Sequence, residues 1–247
     1  MSVARRVIPT LLIRGRSLVK GERFQSWRSV GAAVQAMKVF EHRQVDEMIV
    51  LDIGATPVGL GPNFALIEEM ARECFTPLTV GGGVSTLDDV KGLLRAGADK
   101  VAVCTEAFRR PQFIREAAEK FGCQCITVSI DVLNGHPVTR CGKEDAGLDP
   151  VAWAQLFEEY GAGEILLNCV ERDGTMEGYD LGLMRAVAAA VGIPVIASGG
   201  ARDYDDFLAA FDAGAHAVAA GALWQFSDAT PALAKRHLAG NGVRVRL

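Results

Sequence analysis

Residues 77–105 read PLTVGGGVSTLDDVKGLLRAGADKVAVCT, and residues 194–222 read PVIASGGARDYDDFLAAFDAGAHAVAAGA. The two stretches keep one register: Pro77 and Pro194, Gly82 and Gly199, Asp88 and Asp205, and Gly97 and Gly214 are each 117 residues apart. Each copy runs from an apolar β-type segment through a glycine turn and an Asp-Asp helix start to a second β-type segment after Gly-Ala. A self-similar stretch of this length is one βαβ unit used twice. It predicts a closed barrel of two similar halves, about residues 1–122 and 123–247.

Outward from the repeat, strand-like runs cover roughly 7–13, 47–53, 77–81, 99–103, 125–131, 164–169, 194–198 and 216–220. They are mostly continuous apolar runs, the pattern of parallel strands buried on both faces. Helical patterns lie between them, near 31–43, 62–73, 86–96, 110–121, 149–160, 180–191, 203–213 and 228–239. Ser85 or Thr86 ahead of Asp88 and Asp89, and Pro62 and Pro150 near first turns, read as helix starts. Eight βα alternations define an α/β chain folded as a (βα)8 TIM barrel in one domain. The longest irregular stretches, 14–30 and 132–148, follow the first and fifth strands. Both belong on the C-terminal face, where such barrels carry their chemistry.

Composition narrows the function classes. An apolar fraction of 49% supports a large core, and the net charge of −4 comes with no Lys/Arg block to suggest a nucleic-acid partner. No run reaches the ~18 apolar residues needed to cross a membrane. The opening MSVARRVIPTLLIRGR lacks the long apolar stretch and small-residue cleavage site of a secretory signal. Cys74, Cys104, Cys123, Cys125, Cys141 and Cys169 form no CxxC pair and read as reduced thiols in the cytoplasm. His42, His136, His216 and His237 lie far apart, without metal-ligand spacing. No metal or cofactor is implied.

Two glycine turns are the candidate binding elements: Gly81-Gly82-Gly83 after the third strand and Ser198-Gly199-Gly200 after the seventh. Without a Cβ, backbone N–H groups approach an anion closely, and a helix N-terminus beyond each turn adds favourable field. Cys104-Thr105 and Gly221-Ala222 at the ends of the next strands complete each cradle, with Asp173-Gly174-Thr175 joining the second. One such turn alone reads as a tight βα connection. The pattern repeated at a fixed offset reads as two phosphate cradles on opposite walls, for a substrate phosphorylated at both ends or for two phosphorylated pieces.

These residues resemble the HisF family, the cyclase subunit of imidazole glycerol phosphate synthase. The resemblance spans essentially the whole chain. It is carried by LVKG at 18–21, DEMIVLDI at 46–53, VGGG at 80–83, GADKV at 97–101, GAGEILL at 161–167, RDGT at 172–175, GYD at 178–180 and IASGG at 196–200. It implies a HisH-like glutaminase partner docked on the barrel's foot, and ammonia passing up the axis to a substrate on the top face. It also implies a gate of four charges at the foot, matched here by Arg6, Glu47, Lys100 and Glu164, with Asp99 facing the partner. Each of the four lies near the start of a strand, so their side chains can ring the axis. The plainer alternative is a set of surface salt bridges, which contribute little.

The family's chemistry uses two aspartates, at the ends of the first and fifth strands, as acid and base. Asp131 keeps the second. The first position is Leu12, which carries no proton. Cys104 and Asn168 also depart from the family's Asn and Thr. Cradles and gate without the acid–base pair point to ammonia delivery with a changed acceptor. The segments RRVIPTLLIRGRSLVK and ARECFTPL are similar to a HisF-like branch that forms acetamidino groups on phosphorylated or nucleotide-linked sugars for surface polysaccharides, together with an ATP-using amidotransferase. The competing expectations are a histidine-pathway cyclase with another proton donor, and a non-catalytic scaffold for the glutaminase. Asp131 is the leading catalytic candidate. Lys20 in the first loop, Asp173 and Asn168 join it, Asp52 ends the second strand on the same face, and Phe24 and Trp27 either shield the site or anchor the loop.

Overall fold

The computed structural model describes residues 3–247. The chain runs β1 (Arg6–Arg14), β2 (Ser17–Glu22), β3 (Gln25–Ala32), α1 (Ala33–Glu41), β4 (Met48–Asp52), α2 (Phe64–Ala71), β5 (Leu78–Gly81), α3 (Leu87–Arg95), β6 (Lys100–Val103), α4 (Thr105–Arg109) and α5 (Gln112–Phe121). It continues through β7 (Ile126–Leu133), β8 (His136–Thr139), β9 (Glu144–Asp145), α6 (Pro150–Glu159), β10 (Glu164–Cys169), α7 (Leu181–Ala190), β11 (Val195–Ser198), α8 (Tyr204–Asp212), β12 (Ala217–Ala220), α9 (Ala222–Phe226) and α10 (Pro231–Gly240). Strands β1, β4, β5, β6, β7, β10, β11 and β12 pair in parallel around a closed ring, with β12 returning to β1. This is the expected (βα)8 barrel.

The internal repeat holds to the residue. β5 and β11, α3 and α8, β6 and β12, and α4 and α9 start and end 117 positions apart. So do the helix caps. Thr86 caps α3 in a reciprocal box with Asp89, and Asp203 caps α8 in the same way with Asp206. Each box satisfies two of the orphan N–H groups of a first turn, and the shared carboxylates place negative charge where the helix dipole favours it. α6 starts on Asp149 with Pro150 in its first turn. The start near Pro62 resolves to an Asn63 cap on α2.

Two expectations need correction. Residues 14–30 and 132–148 are not irregular. The first is a hairpin, in which β2 pairs antiparallel with the end of β1 and β3 with β2. The second is a smaller one, in which β8 pairs with β7 and β9 with β8. Their outer strands are largely exposed, so they lack the apolar run that marks a barrel strand. α4 and α9 are one-turn helices that begin directly after β6 and β12, inside stretches read as strand ends.

Each barrel strand separates two apolar layers. Outward residues such as Val7, Leu11 and Ile13 pack under the helices. Inward residues Ile8, Ile49, Leu166 and Ile196, with Ala217 and Ala219, form a second cluster on the axis. At the foot, Asp46 accepts a hydrogen bond from the Val7 backbone N–H (2.9 Å) and from Lys235 Nζ of α10 (3.3 Å). The pair is almost fully buried and fastens the last helix to the first strand.

Candidate active site

Inward positions along the strands stack in levels, because side chains on one strand face alternate. The lowest level is charged. Arg6 Nη1 donates to Glu47 (2.8 Å) and Arg6 Nη2 to Glu164; Lys100 Nζ donates to Glu47 (3.2 Å) and Glu164 (3.1 Å). Cations and anions therefore alternate in a closed cycle across four strands. Burial alone would lower the Arg6 pKa, but the carboxylates of Glu164 and Glu47 hold it above its usual value. All four side chains are no more than 20% exposed. In such a place an unpaired charge would be costly, so the four residues stand as a unit. Asp99 sits outside the ring, exposed, and its carboxylate accepts the Leu78 N–H (2.8 Å) at the start of β5.

Above the ring, the Ile8, Ile49, Leu166 and Ile196 level closes the axis with aliphatic side chains. The mouth above this level is a cavity of about 380 Å³. Its floor includes Thr10, Ala102, Ser129, Leu166 and Ala219, and its walls carry Gly82, Gly83, Cys104 and Thr105 on one side and Gly174, Gly199, Gly200, Gly221 and Ala222 on the other. Both expected cradles face one space.

Glycine is required in these turns. Gly82 and Gly83 have φ of 111° and 72°, Gly199 and Gly200 of 85° and 109°, and Gly174 of 77°. A Cβ on Gly200 would lie 2.3 Å from the Gly178 carbonyl oxygen, and one on Gly174 2.1 Å from that of Gly21. The Gly83 N–H is engaged by Thr56 Oγ1 (3.2 Å), so it is not free for a ligand. Gly200→Ala is expected to cost at least ~1–3 kcal/mol from backbone strain alone, seen as a Tm lowered by several degrees. The displaced turn lines the cavity, so inorganic phosphate should protect the variant from heat less than it protects the wild type.

Asp131 stands at the centre of the wall. Ser129 Oγ (3.3 Å) and Asn168 Nδ2 (3.4 Å) donate to Oδ1, and the Cys104 thiol lies 3.7 Å from Oδ2. Burial pushes its pKa up to about 6, against the lowering effect of those donors. The carboxylate is therefore poised near neutrality, the useful range for a proton-transfer group. The Cys104 thiol is held well above its ordinary pKa by burial and by the Asp131 charge, so it remains a neutral donor.

Lys20 differs from the expected loop lysine. It belongs to β2, is 4% exposed, and its Nζ donates to the Thr10 carbonyl (3.1 Å). It lies so close to Gly221 that a Cβ there would fall 2.4 Å from Nζ. Burial lowers its pKa, while the Asp173 charge opposes the shift; the Asp173 pKa is raised by burial and restrained by Lys20. The hairpin is pinned to the turn after β10 by the Arg23 N–H on the Asp173 carbonyl (2.8 Å) and by Arg23 Nε on the Glu171 carbonyl (3.0 Å). Phe24 and Trp27 at its tip line the cavity, with ring centroids 6.4 Å apart.

Leu12 lines the same cavity, so the mouth has a hydrocarbon where a second carboxylate was sought. Asp52 is also in the wall, but its Oδ1 accepts the Gly54 N–H (2.8 Å), which gives it a turn-forming duty. Sequence reading missed Thr10, Thr56, Ser129 and Cys141, which line the cavity too. Counting inward by twos from Asp131 or Leu12 would have found Ser129 and Thr10. Thr56 and Cys141 sit on turns and leave no periodic signal.

Fold and site define an α/β barrel with two glycine cradles opposed across one mouth, an ionisable carboxylate between them and a charged ring beneath. A family model described as histidine biosynthesis protein matches residues 6–228. The chain is 44% identical over 256 residues to the imidazole glycerol phosphate synthase subunit HisF of Thermobifida fusca, with both chains covered completely. It is also 44% identical over 254 residues to the subunit of the same name from Frankia casuarinae, again over the whole of both chains. The chain belongs to the HisF family of histidine biosynthesis proteins, a family of ammonia-using synthase subunits.

Proposed function

We propose that this chain is the cyclase-type subunit of an imidazole glycerol phosphate synthase, working with a glutaminase that docks at the foot of the barrel. The observation that carries this reading is the vertical order of the parts: a closed Arg6–Glu47–Lys100–Glu164 ring below, and Asp131 between two glycine cradles above. Ammonia enters through the ring when its ion pairs part, passes the aliphatic level and meets a substrate whose two phosphates occupy the cradles. Asp131 moves protons at the reacting centre. With Leu12 unable to share that work, and the Cys104 thiol held neutral by burial, the Lys20–Asp173 pair lining the same cavity is the candidate for the second proton group. The 44% identity to two chains that carry this name supports the reading.

Leu12 favours a second reading, in which ammonia forms an acetamidino group on a nucleotide-linked sugar, with an ATP-using amidotransferase as further partner. The family match and the relatives' names lend it no support, and it ranks below the first. A scaffold without chemistry does not account for a carboxylate tuned to about 6 inside a cavity. The deciding experiment is growth of a histidine auxotroph lacking its cyclase. Rescue by this gene is the expected result. Failure of a well-expressed, glutaminase-bound protein to rescue would overturn the first reading and leave the second.

A further inference from the structure

Four buried side-chain polar atoms have no hydrogen-bond partner among the described residues: Thr10 Oγ1, Thr127 Oγ1, Asn168 Oδ1 and Trp224 Nε1. Trp224 lies outside the sheet, against Phe207. The other three stand on inward positions of the barrel. Thr127 shares its strand face with Ser129 and Asp131, and Thr10 shares its own with Ile8 and Leu12. A buried hydroxyl without a partner costs about 1–3 kcal/mol. A chain that needed only to fill the axis would place valine at both threonines at lower cost.

Their heights are ordered. Thr127 is the register partner of Glu164 in the charged ring and of Ala102. Thr10 is the partner of Ile49 in the aliphatic level, and it reaches the cavity floor. Asn168 is the partner of Asp131 at the top. Thr127 is thus bracketed by the charged ring and the cavity floor, Thr10 reaches that floor, and Asn168 stands beside the reacting carboxylate.

We propose that Thr127 and Thr10 are relay sites that hydrogen-bond ammonia as it crosses the aliphatic level, and that Asn168 Oδ1 receives it beside Asp131. The inference rests on the ammonia-transfer reading above. Ammonia has three N–H donors and one lone pair, and a threonine hydroxyl both accepts and donates. Each hydroxyl supplies a partner at the point where hydrocarbon walls would strip the molecule of all hydrogen bonds, an exposure that is costly for any polar group. Ammonia is neutral when it travels, so the relay needs no charge, and the ring below turns back ammonium by its own cations.

The test uses the barrel–glutaminase complex supplied with glutamine labelled by ¹⁵N in the amide, unlabelled ammonium chloride and the two-phosphate substrate of the ring-forming reaction. The ¹⁵N fraction of the product is read by mass spectrometry. Thr127→Val should lower that fraction several-fold while glutamine hydrolysis and turnover on ammonium chloride alone stay unchanged, and adding Thr10→Val should lower it further. Thr127→Ser, which keeps the hydroxyl, should restore it. Valine is nearly isosteric and replaces an unpartnered group, so Tm should hold or rise. An unchanged ¹⁵N fraction, or a lower Tm with intact coupling, would overturn the relay. A wild-type complex that incorporates no ¹⁵N at all would instead overturn the functional reading beneath it.

Discussion

Asp131→Asn is expected to lower kcat by about 10² to 10⁴, the usual contribution of a positioned acid–base group, with little change in KM. The glycine turns proposed to hold the substrate lie on other strands, so binding should survive while proton transfer does not. The wild type should lose activity on the acid side with an apparent pKa near 6, where the buried carboxylate takes up its proton. The variant's residual rate should lack that limb. Stability should move the other way. The folded pKa lies above the ordinary 3.8, so the folded protein binds this proton more tightly than the unfolded chain. Ionising the group therefore costs stability, a cost that appears as pH rises from 3.8 through about 6 and is complete above that value. Removing the charge relieves it. The variant should match the wild type in acid and exceed it at pH 7–8 by up to about 3 kcal/mol, measured by denaturant unfolding at both pH values. A variant that keeps full activity would remove Asp131 from the mechanism.

Leu12→Asp is the complementary gain. It places a carboxylate in the cavity wall on the first strand, two-fold related to Asp131 on the fifth. If ring formation in this protein is limited by the missing half of an acid–base pair, kcat should rise by up to about 10² to 10⁴. The cost falls on folding. A new carboxylate in a wall that already holds Asp131, Asp52 and Asp173 suffers desolvation and like-charge repulsion. The Asp131 pKa should climb further and the acid limb of the pH profile should move up with it. The double variant Leu12→Asp with Asp131→Asn should lose the gain, since one carboxylate cannot do both jobs. No gain in a folded single variant would show that the Lys20–Asp173 pair already supplies the second proton group, or that the acceptor differs.

Much of this was legible in the sequence because the barrel's signals are local and repeated. A constant offset of 117 residues set the registers of the repeated βαβ units in both halves, down to the two capping boxes. Arg6, Glu47, Lys100 and Glu164 converge because each sits at the foot of a strand whose inward phase is set by the pleat. The hairpins escaped notice because β3 is largely exposed and β9 has two residues. The burial of Lys20 was hidden for a related reason. Nothing local to LVKG says that its ammonium reaches across to the Thr10 carbonyl. The aliphatic level was legible only as apolar strand residues, since which of them meet on the axis depends on the stagger of eight strands. The acetamidino assignment leaned on Leu12 and two short segments, and the whole-length likeness to HisF chains outweighs them.

The two-fold repeat has a consequence for how a ligand lies in the mouth. Gly82-Gly83 and Gly199-Gly200 are built to one pattern but are not equivalent: the Gly83 N–H is taken by Thr56 Oγ1, and Gly174 lines the second side alone. The centre is unlike as well: the Asp131 carboxylate on one side, the Leu12 hydrocarbon on the other, with the Lys20 ammonium set beside Gly221 alone. Under the proposed function, these differences between the two sides set the direction in which a two-phosphate substrate lies.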